Sequence, residues 1–213
     1  MPAQARAVAP APEPAQRIGL FGGSFDPVHN AHLALARSAI DALALDELLW
    51  IPAGDAWQKA RKLSAAHDRV AMLELAIGSA SRQRIERCEI ERGGPSYTMD
   101  TVAGLQALRP HARWWLLLGQ DQLANLPSWQ RWRELVARVQ LAVANRAGDV
   151  VRAPRELRDA GVEVAEVPLA PHAISSSEIR TRVAAGIEID SLVPAPVARY
   201  IEIHGLYRDP LRS

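Results

Sequence analysis

The chain has 213 residues, 48% apolar and 23% charged, with 25 Lys and Arg against 24 Asp and Glu. This composition excludes a disordered or collagen-like chain, and its one cysteine, Cys88, excludes a disulfide framework and suits a reducing cytoplasm. A formal charge of +1 leaves no electrostatic footprint for nucleic acid, and no apolar run approaches the roughly 20 residues that cross a bilayer, so neither is expected as a partner.

Residues 1–16 are mostly Ala and Pro. Pro10, Pro12 and Pro14 forbid a helix there, and the stretch lacks the apolar core of a signal peptide. It reads as a disordered extension, with 17–213 as one domain. Deleting Met1 to Gln16 is therefore expected to leave turnover and melting temperature almost unchanged, which an activity assay and a thermal melt would check.

From Arg17 onward, short apolar runs alternate with longer segments of helical period. Strands are expected at 18–21, 48–51, 84–88, 114–118, 141–144 and 162–167. Helices are expected at 31–44, 65–79, 98–108, 129–137 and 154–160. Two closing helices, 176–185 and 196–204, end the chain. Strands alternating with helices imply βαβ units and a mostly parallel sheet covered on both faces, an α/β fold. Ligands of such sheets sit outside the carboxyl ends of the strands, where strand order reverses. Attention therefore falls on the loops after the first, second and fourth strands and on the serine-rich turn before the closing helices.

The first loop reads Gly22-Gly23-Ser24-Phe25-Asp26-Pro27-Val28-His29-Asn30-Ala31-His32. Two glycines let the backbone turn sharply and approach a ligand. The helix start that follows favours an anion. His29 and His32 share a face of its first turn, where two imidazoles can donate to a phosphate and balance developing charge. They can equally cap or pack. A metal pair is disfavoured by the helix start and by the lack of a third ligand nearby. Neither G-x-G-x-x-G nor G-x-x-x-x-G-K-[ST] is present.

The turn Ile174-Ser175-Ser176-Ser177-Glu178-Ile179-Arg180 opens a helix. Its serines can cap that helix, leaving Arg180 as surface charge. Alternatively, hydroxyls, helix N–H groups and a guanidinium fork make a second anion site. Six of the eleven aromatic residues are Trp. Trp50, Trp114 and Trp115 lie in strands and should pack. Trp57, Trp129 and Trp132 lie in polar stretches, where an indole can stack on a flat heterocycle, Trp132 bracing Trp129. Asp121 can cap a helix starting near Gln122.

Further marks along the chain are Ile51-Pro52, Met72-Leu73-Glu74, Ser96-Tyr97-Thr98, Gly119-Gln120-Asp121, Pro127-Ser128-Trp129 and Gly205-Leu206-Tyr207-Arg208. With the two loops above, and in this order, the chain resembles the HxGH nucleotidyltransferase superfamily and, within it, the bacterial nicotinate mononucleotide adenylyltransferases. The resemblance runs from about Arg17 to Arg208. It implies a Rossmann-like fold and a cytoplasmic enzyme of NAD biosynthesis. Its substrates would be ATP and nicotinate mononucleotide, and its products deamido-NAD and pyrophosphate. Magnesium is implied as a cofactor, held mainly by substrate phosphates and not by a protein-built metal site.

The same resemblance assigns His29, His32 and Arg180 to catalysis on the ATP phosphates. Gly22, Gly23, Ser24, Phe25, Ser175 and Ser176 would join them in ATP binding. Thr98, Asp121, Trp129 and Lys59 would hold the mononucleotide. The sequence departs from the family in having Ala31 where a glycine is usual and Asp55-Ala56-Trp57-Gln58-Lys59 where many relatives carry a Pro-Pro-His-Lys loop. Pantetheine-phosphate adenylyltransferases would share the histidines and serines, but not Ser96-Tyr97-Thr98 or Gly119-Gln120-Asp121 with Trp129. An adenylyltransferase for the amide mononucleotide, or a nucleotide sensor without turnover, are the other readings.

Overall fold

A computed structural model describes residues 15–54, 63–146, 151–170 and 174–208. The chain runs β1 (Arg17–Gly23), α1 (Asn30–Ala42), β2 (Glu47–Pro52), α2 (Ala66–Ile77), β3 (Gln83–Ile85), α3 (Cys88–Arg92) and α4 (Thr98–Leu108). It continues through β4 (Arg113–Leu118), α5 (Gln120–Asn125), a 3-10 turn (Leu126–Ser128), α6 (Trp132–Arg138), β5 (Gln140–Arg146), α7 (Arg155–Asp159), β6 (Val164–Leu169), α8 (Ser176–Ala184) and α9 (Ala195–Ile203). The six strands form one sheet in the order β3-β2-β1-β4-β5-β6, with every neighbouring pair parallel. This is the Rossmann-like arrangement, and strand order reverses between β1 and β4.

Side chains alternate across the sheet with period two. Phe21, Leu48, Trp50, Trp115 and Leu117 enter a core with α1, α2, α8 and α9. Ile18, Leu20, Leu49, Ile51, Trp114, Leu116 and Leu118 enter a second core with α4, α5, α6 and α7. Both faces are thus covered, as the continuous apolar runs require. Each fully buried side chain of this kind stabilises by about 1.5–3 kcal/mol, against about 0–1 kcal/mol for an exposed ion pair. The cores, not the surface charges, hold the sheet.

Several boundaries differ from expectation for local reasons. The strand expected at 84–88 stops at Ile85, and Cys88 opens α3. Glu86 N–H still donates to the Trp50 carbonyl at 2.8 Å. The next link of that ladder would need an N–H at position 52, and Pro52 has none. The helix expected at 129–137 begins at Trp132, because Arg131 sits at φ +58° and breaks the helical run. The strand expected at 162–167 lies at Val164–Leu169, after a turn in which Gly161 has φ +66°. The extension falls outside the described residues apart from Ala15 and Gln16. The Gln16 carbonyl accepts from Arg113 N–H at 2.7 Å, so Gln16 belongs to the β1–β4 ladder and the deletion tested above is better made at 1–14. Among the described residues no helix is long and apolar enough to cross a membrane.

Candidate active site

The first loop leaves β1 at the reversal of strand order. Its two glycines do different things. A Cβ on Gly23 would stand 2.9 Å from the Phe25 ring, whereas one on Gly22 would meet nothing within 4 Å. Gly23 therefore serves internal packing, and Gly22 leaves open space at the carboxyl end of β1. Phe25 has φ +48°, which a non-glycine residue adopts at a cost. That turn buries its ring against Phe21, Trp50 and His32, at centroid distances of 5.5, 5.2 and 5.2 Å. The loop is folded onto an aromatic floor.

His29 is the N-cap of α1 and His32 its third residue, in a reciprocal capping arrangement. Their rings stack with centroids 3.6 Å apart. His29 is buried and His32 half-buried. His29 N–H donates to His32 Nδ1 at 3.3 Å, so a neutral His32 carries its proton on Nε2 and can donate from there. The helix start is less open than the sequence implies: Asn30 N–H donates to the Leu192 carbonyl at 2.9 Å. Ala31 is half-buried in the same turn.

The serine turn lies directly on this loop. Ser175 caps α8 by accepting from Glu178 N–H at 3.1 Å. Ser176 Oγ donates to the Pro27 carbonyl at 2.9 Å. Arg180 is buried, not surface charge. Its Nη1 donates to the Asp26 carbonyl at 2.8 Å and its Nη2 to Ser177 Oγ at 3.0 Å. Asp26 is fully buried. Its carboxylate accepts from Tyr207 Oη at 2.6 Å and from Ser64 N–H at 3.2 Å. Burial, then the charge of Asp26, pushes the Tyr207 phenol far up, which keeps it a donor. Buried Arg69 closes the circle by donating from Nη1 to the Ser24 carbonyl at 3.0 Å.

Sequence reasoning passed over Asp26, Arg69 and Tyr207 as functional residues. The signal for Asp26 and Tyr207 was their place inside the quoted motifs. Nothing local marks Arg69.

Across the sheet, Gly119 caps α5 and Asp121 is an exposed residue of its first turn. The reading of Asp121 as a cap is thereby corrected, since the helix starts two residues earlier than Gln122. Thr98 opens α4. Trp129 closes the 3-10 turn and stays half-buried against the second core. Asp100, two residues after Thr98, accepts from Arg131, two residues after Trp129, at 3.2 Å, so these segments meet. Trp132 is buried. Lys59 and Trp57 lie outside the described residues.

Among those residues no group of three or more His, Cys, Asp or Glu could hold a metal ion. Burial, then Glu86 and Glu89, pushes the Cys88 thiol up to about 11, so it is protonated and no nucleophile.

A family model described as cytidylyltransferase-like matches residues 20–182. A curated relative named "Probable nicotinate-nucleotide adenylyltransferase", from Methylibium petroleiphilum, is 49% identical over 201 residues, covering 92% of this chain and 95% of its own. The chain belongs to the nicotinate-nucleotide adenylyltransferase family. Relatives of the same name from Bordetella petrii and Neisseria meningitidis serogroup C are 49% and 41% identical over 91% and 90% of this chain and 100% and 98% of theirs. Nucleotidyltransferases of this kind generally use a divalent metal ion. The fold matches the solved Plasmodium falciparum nicotinic acid mononucleotide adenylyltransferase complexed with NaAD. The TM-score is 0.75 at 20% identity, covering 92% of this chain and 99% of that one. The family to which the motifs pointed is thus the one the relatives show.

Proposed function

We propose that the chain transfers the adenylyl group of ATP to nicotinate mononucleotide, giving deamido-NAD and pyrophosphate, in the cytoplasm. The observation that carries this is the stacked His29–His32 pair at the β1–β4 reversal, in a chain nearly half identical to relatives of that name. The mononucleotide phosphate attacks the α-phosphorus of ATP in line. One P–O bond forms as the bond to pyrophosphate breaks, and no covalent enzyme intermediate is needed. The protein aligns two anions and answers the charge that shifts onto the leaving group. His29 and His32 donate to the ATP phosphates beside Gly22 and Gly23. Ser24 and Phe25 shape that loop, and Ser175, Ser176 and Arg180 face it from α8. Magnesium supplies further charge balance when bound. The Asp26 carboxylate is buried and already accepts two hydrogen bonds, so phosphates and water, not a protein cage, suit it as ligands.

The nicotinate ring lies against Trp129, with Thr98 toward its carboxylate and Asp121 and Lys59 toward the rest of the mononucleotide. The start of α4 at Thr98 favours a negative group. This supports the acid over the amide. Stacking on an indole contributes about 0.5–1.5 kcal/mol beyond area burial and does not tell acid from amide. Pyrophosphate release with ATP and each mononucleotide tests both points. The acid should be preferred. Trp129→Ala should raise KM for both mononucleotides at a constant ratio, and Thr98→Val should erode the ratio. Equal use of acid and amide by the wild type would overturn the specificity. No release with either, alongside release with phosphopantetheine, would overturn the substrate class.

A further inference from the structure

We propose that Glu89 is a positioning residue for the mononucleotide site: it lies against the loop after β2 while its carboxylate holds the first turn of α4, and it thereby sets where Thr98 stands. The inference rests on the function proposed above. Thr101 Oγ1 donates to Glu89 Oε1 at 2.9 Å and accepts from Arg92 Nη2 at 3.3 Å. Gly54, in the loop after β2, lies against the Glu89 backbone. Glu89 thus touches both segments, the loop through its backbone and α4 through its carboxylate. Gly54 leads into the stretch that contains Lys59. Thr101 is buried one turn into α4, three residues after Thr98 and on the same helix face. Met99, Val102 and Leu105 seat α4 on the second core, and the Thr101 bond adds a directional restraint at its first turn, next to Thr98.

The packing at this seam is close. A Cβ on Gly54 would stand 2.4 Å from the Glu89 carbonyl oxygen and 3.1 Å from Ser96 Oγ, so only glycine lets the β2 loop come so near. Ser96 Oγ, two residues before Thr98, is buried without a hydrogen-bond partner. Burial pushes the Glu89 carboxyl up, while Thr101, Arg92 and the Gly54 N–H pull it back down. A carboxylate taken out of water is costly unless its oxygens are satisfied. Here the Thr101 hydroxyl offsets part of that cost, from the helix whose position the carboxylate fixes. An apolar residue would fill the seam at less cost but would make no such bond.

Glu89→Gln keeps the size and can offer an amide N–H₂ where the Thr101 hydroxyl needs an acceptor. KM for nicotinate mononucleotide should rise about tenfold, a change of the size expected when a contact is displaced. The preference for acid over amide should fall, while KM for ATP stays within about twofold. Thr101→Val should copy this pattern and Thr101→Ser, which keeps the hydroxyl, should restore wild-type values. The inference is overturned if Glu89→Gln and Thr101→Val both leave KM for the mononucleotide unchanged. It is equally overturned if the two KM values rise together with a falling melting temperature, as a purely structural role would give. A wild-type enzyme that does not turn over the acid mononucleotide would instead overturn the proposed function, before any variant is compared.

Discussion

Replacing His29 or His32 by alanine should lower kcat for adenylyl transfer by roughly 10²–10³, the loss seen when one donor to a developing oxyanion is removed. The two rings stack at 3.6 Å and cap the same helix turn, so they act as a unit. The double variant should therefore lose much less than the product of the single losses. Each variant should also lose some stability, because His29 is the N-cap of α1 and an N-cap is worth about 0.5–2 kcal/mol. The two effects separate cleanly. Capping loss appears in the thermal melt at any substrate level, whereas the catalytic loss appears in kcat with the protein fully folded. Turnover near wild type in both variants, with only the melt shifted, would leave the pair with a capping role alone.

Arg180→Ala should cost stability and activity together. The guanidinium is buried and its fork donates to the Asp26 carbonyl and to Ser177 Oγ. Truncation leaves a cavity and strips the partner from the buried Asp26 carbonyl, a loss on the order of 3 kcal/mol. For a domain of this size each kcal/mol moves Tm by about 2–4 °C, so Tm should fall by roughly 6–12 °C. An arginine serving only as a phosphate contact from the surface would lose turnover with no change in Tm. Added ATP discriminates further: if Arg180 holds the loop in shape, ATP should raise the Tm of Arg180→Ala less than that of the wild type, because the site it binds is already loosened. An unchanged melt with full turnover would remove Arg180 from the site altogether.

The strand runs were legible because apolar residues buried on both faces leave continuous runs, and the helix at 98–108 was read to the residue. What local pattern could not show was where the ladder fails. Pro52 ends pairing on β3 through a missing N–H on a neighbouring strand, a non-local cause. Arg131 breaks α6 by a backbone angle that Arg rarely adopts. At the site, the His29–His32 spacing was readable because both lie within one helical turn. The partners of Arg180, by contrast, are 154 residues away at Asp26 and three away at Ser177. A surface reading of Arg180 from its own neighbours was bound to miss the longer link. Arg69 is the extreme case, since its contact with Ser24 has no trace in the sequence around either residue.

The bond from Tyr207 to Asp26 spans 181 residues. During synthesis the Gly22–His32 loop is made well before the phenol that donates to its buried carboxylate. Contacts this distant form late, because the loop-closure entropy must be met before they stabilise anything. The β1–α1–β2 unit, which ends at Pro52, can thus form while Asp26 still lacks both of these donors, Ser64 N–H and Tyr207 Oη. The Gly22–His32 loop therefore gains its last buried donor only when Tyr207 docks, so the shape of this loop depends on the far end of the domain as much as on the strand that precedes it.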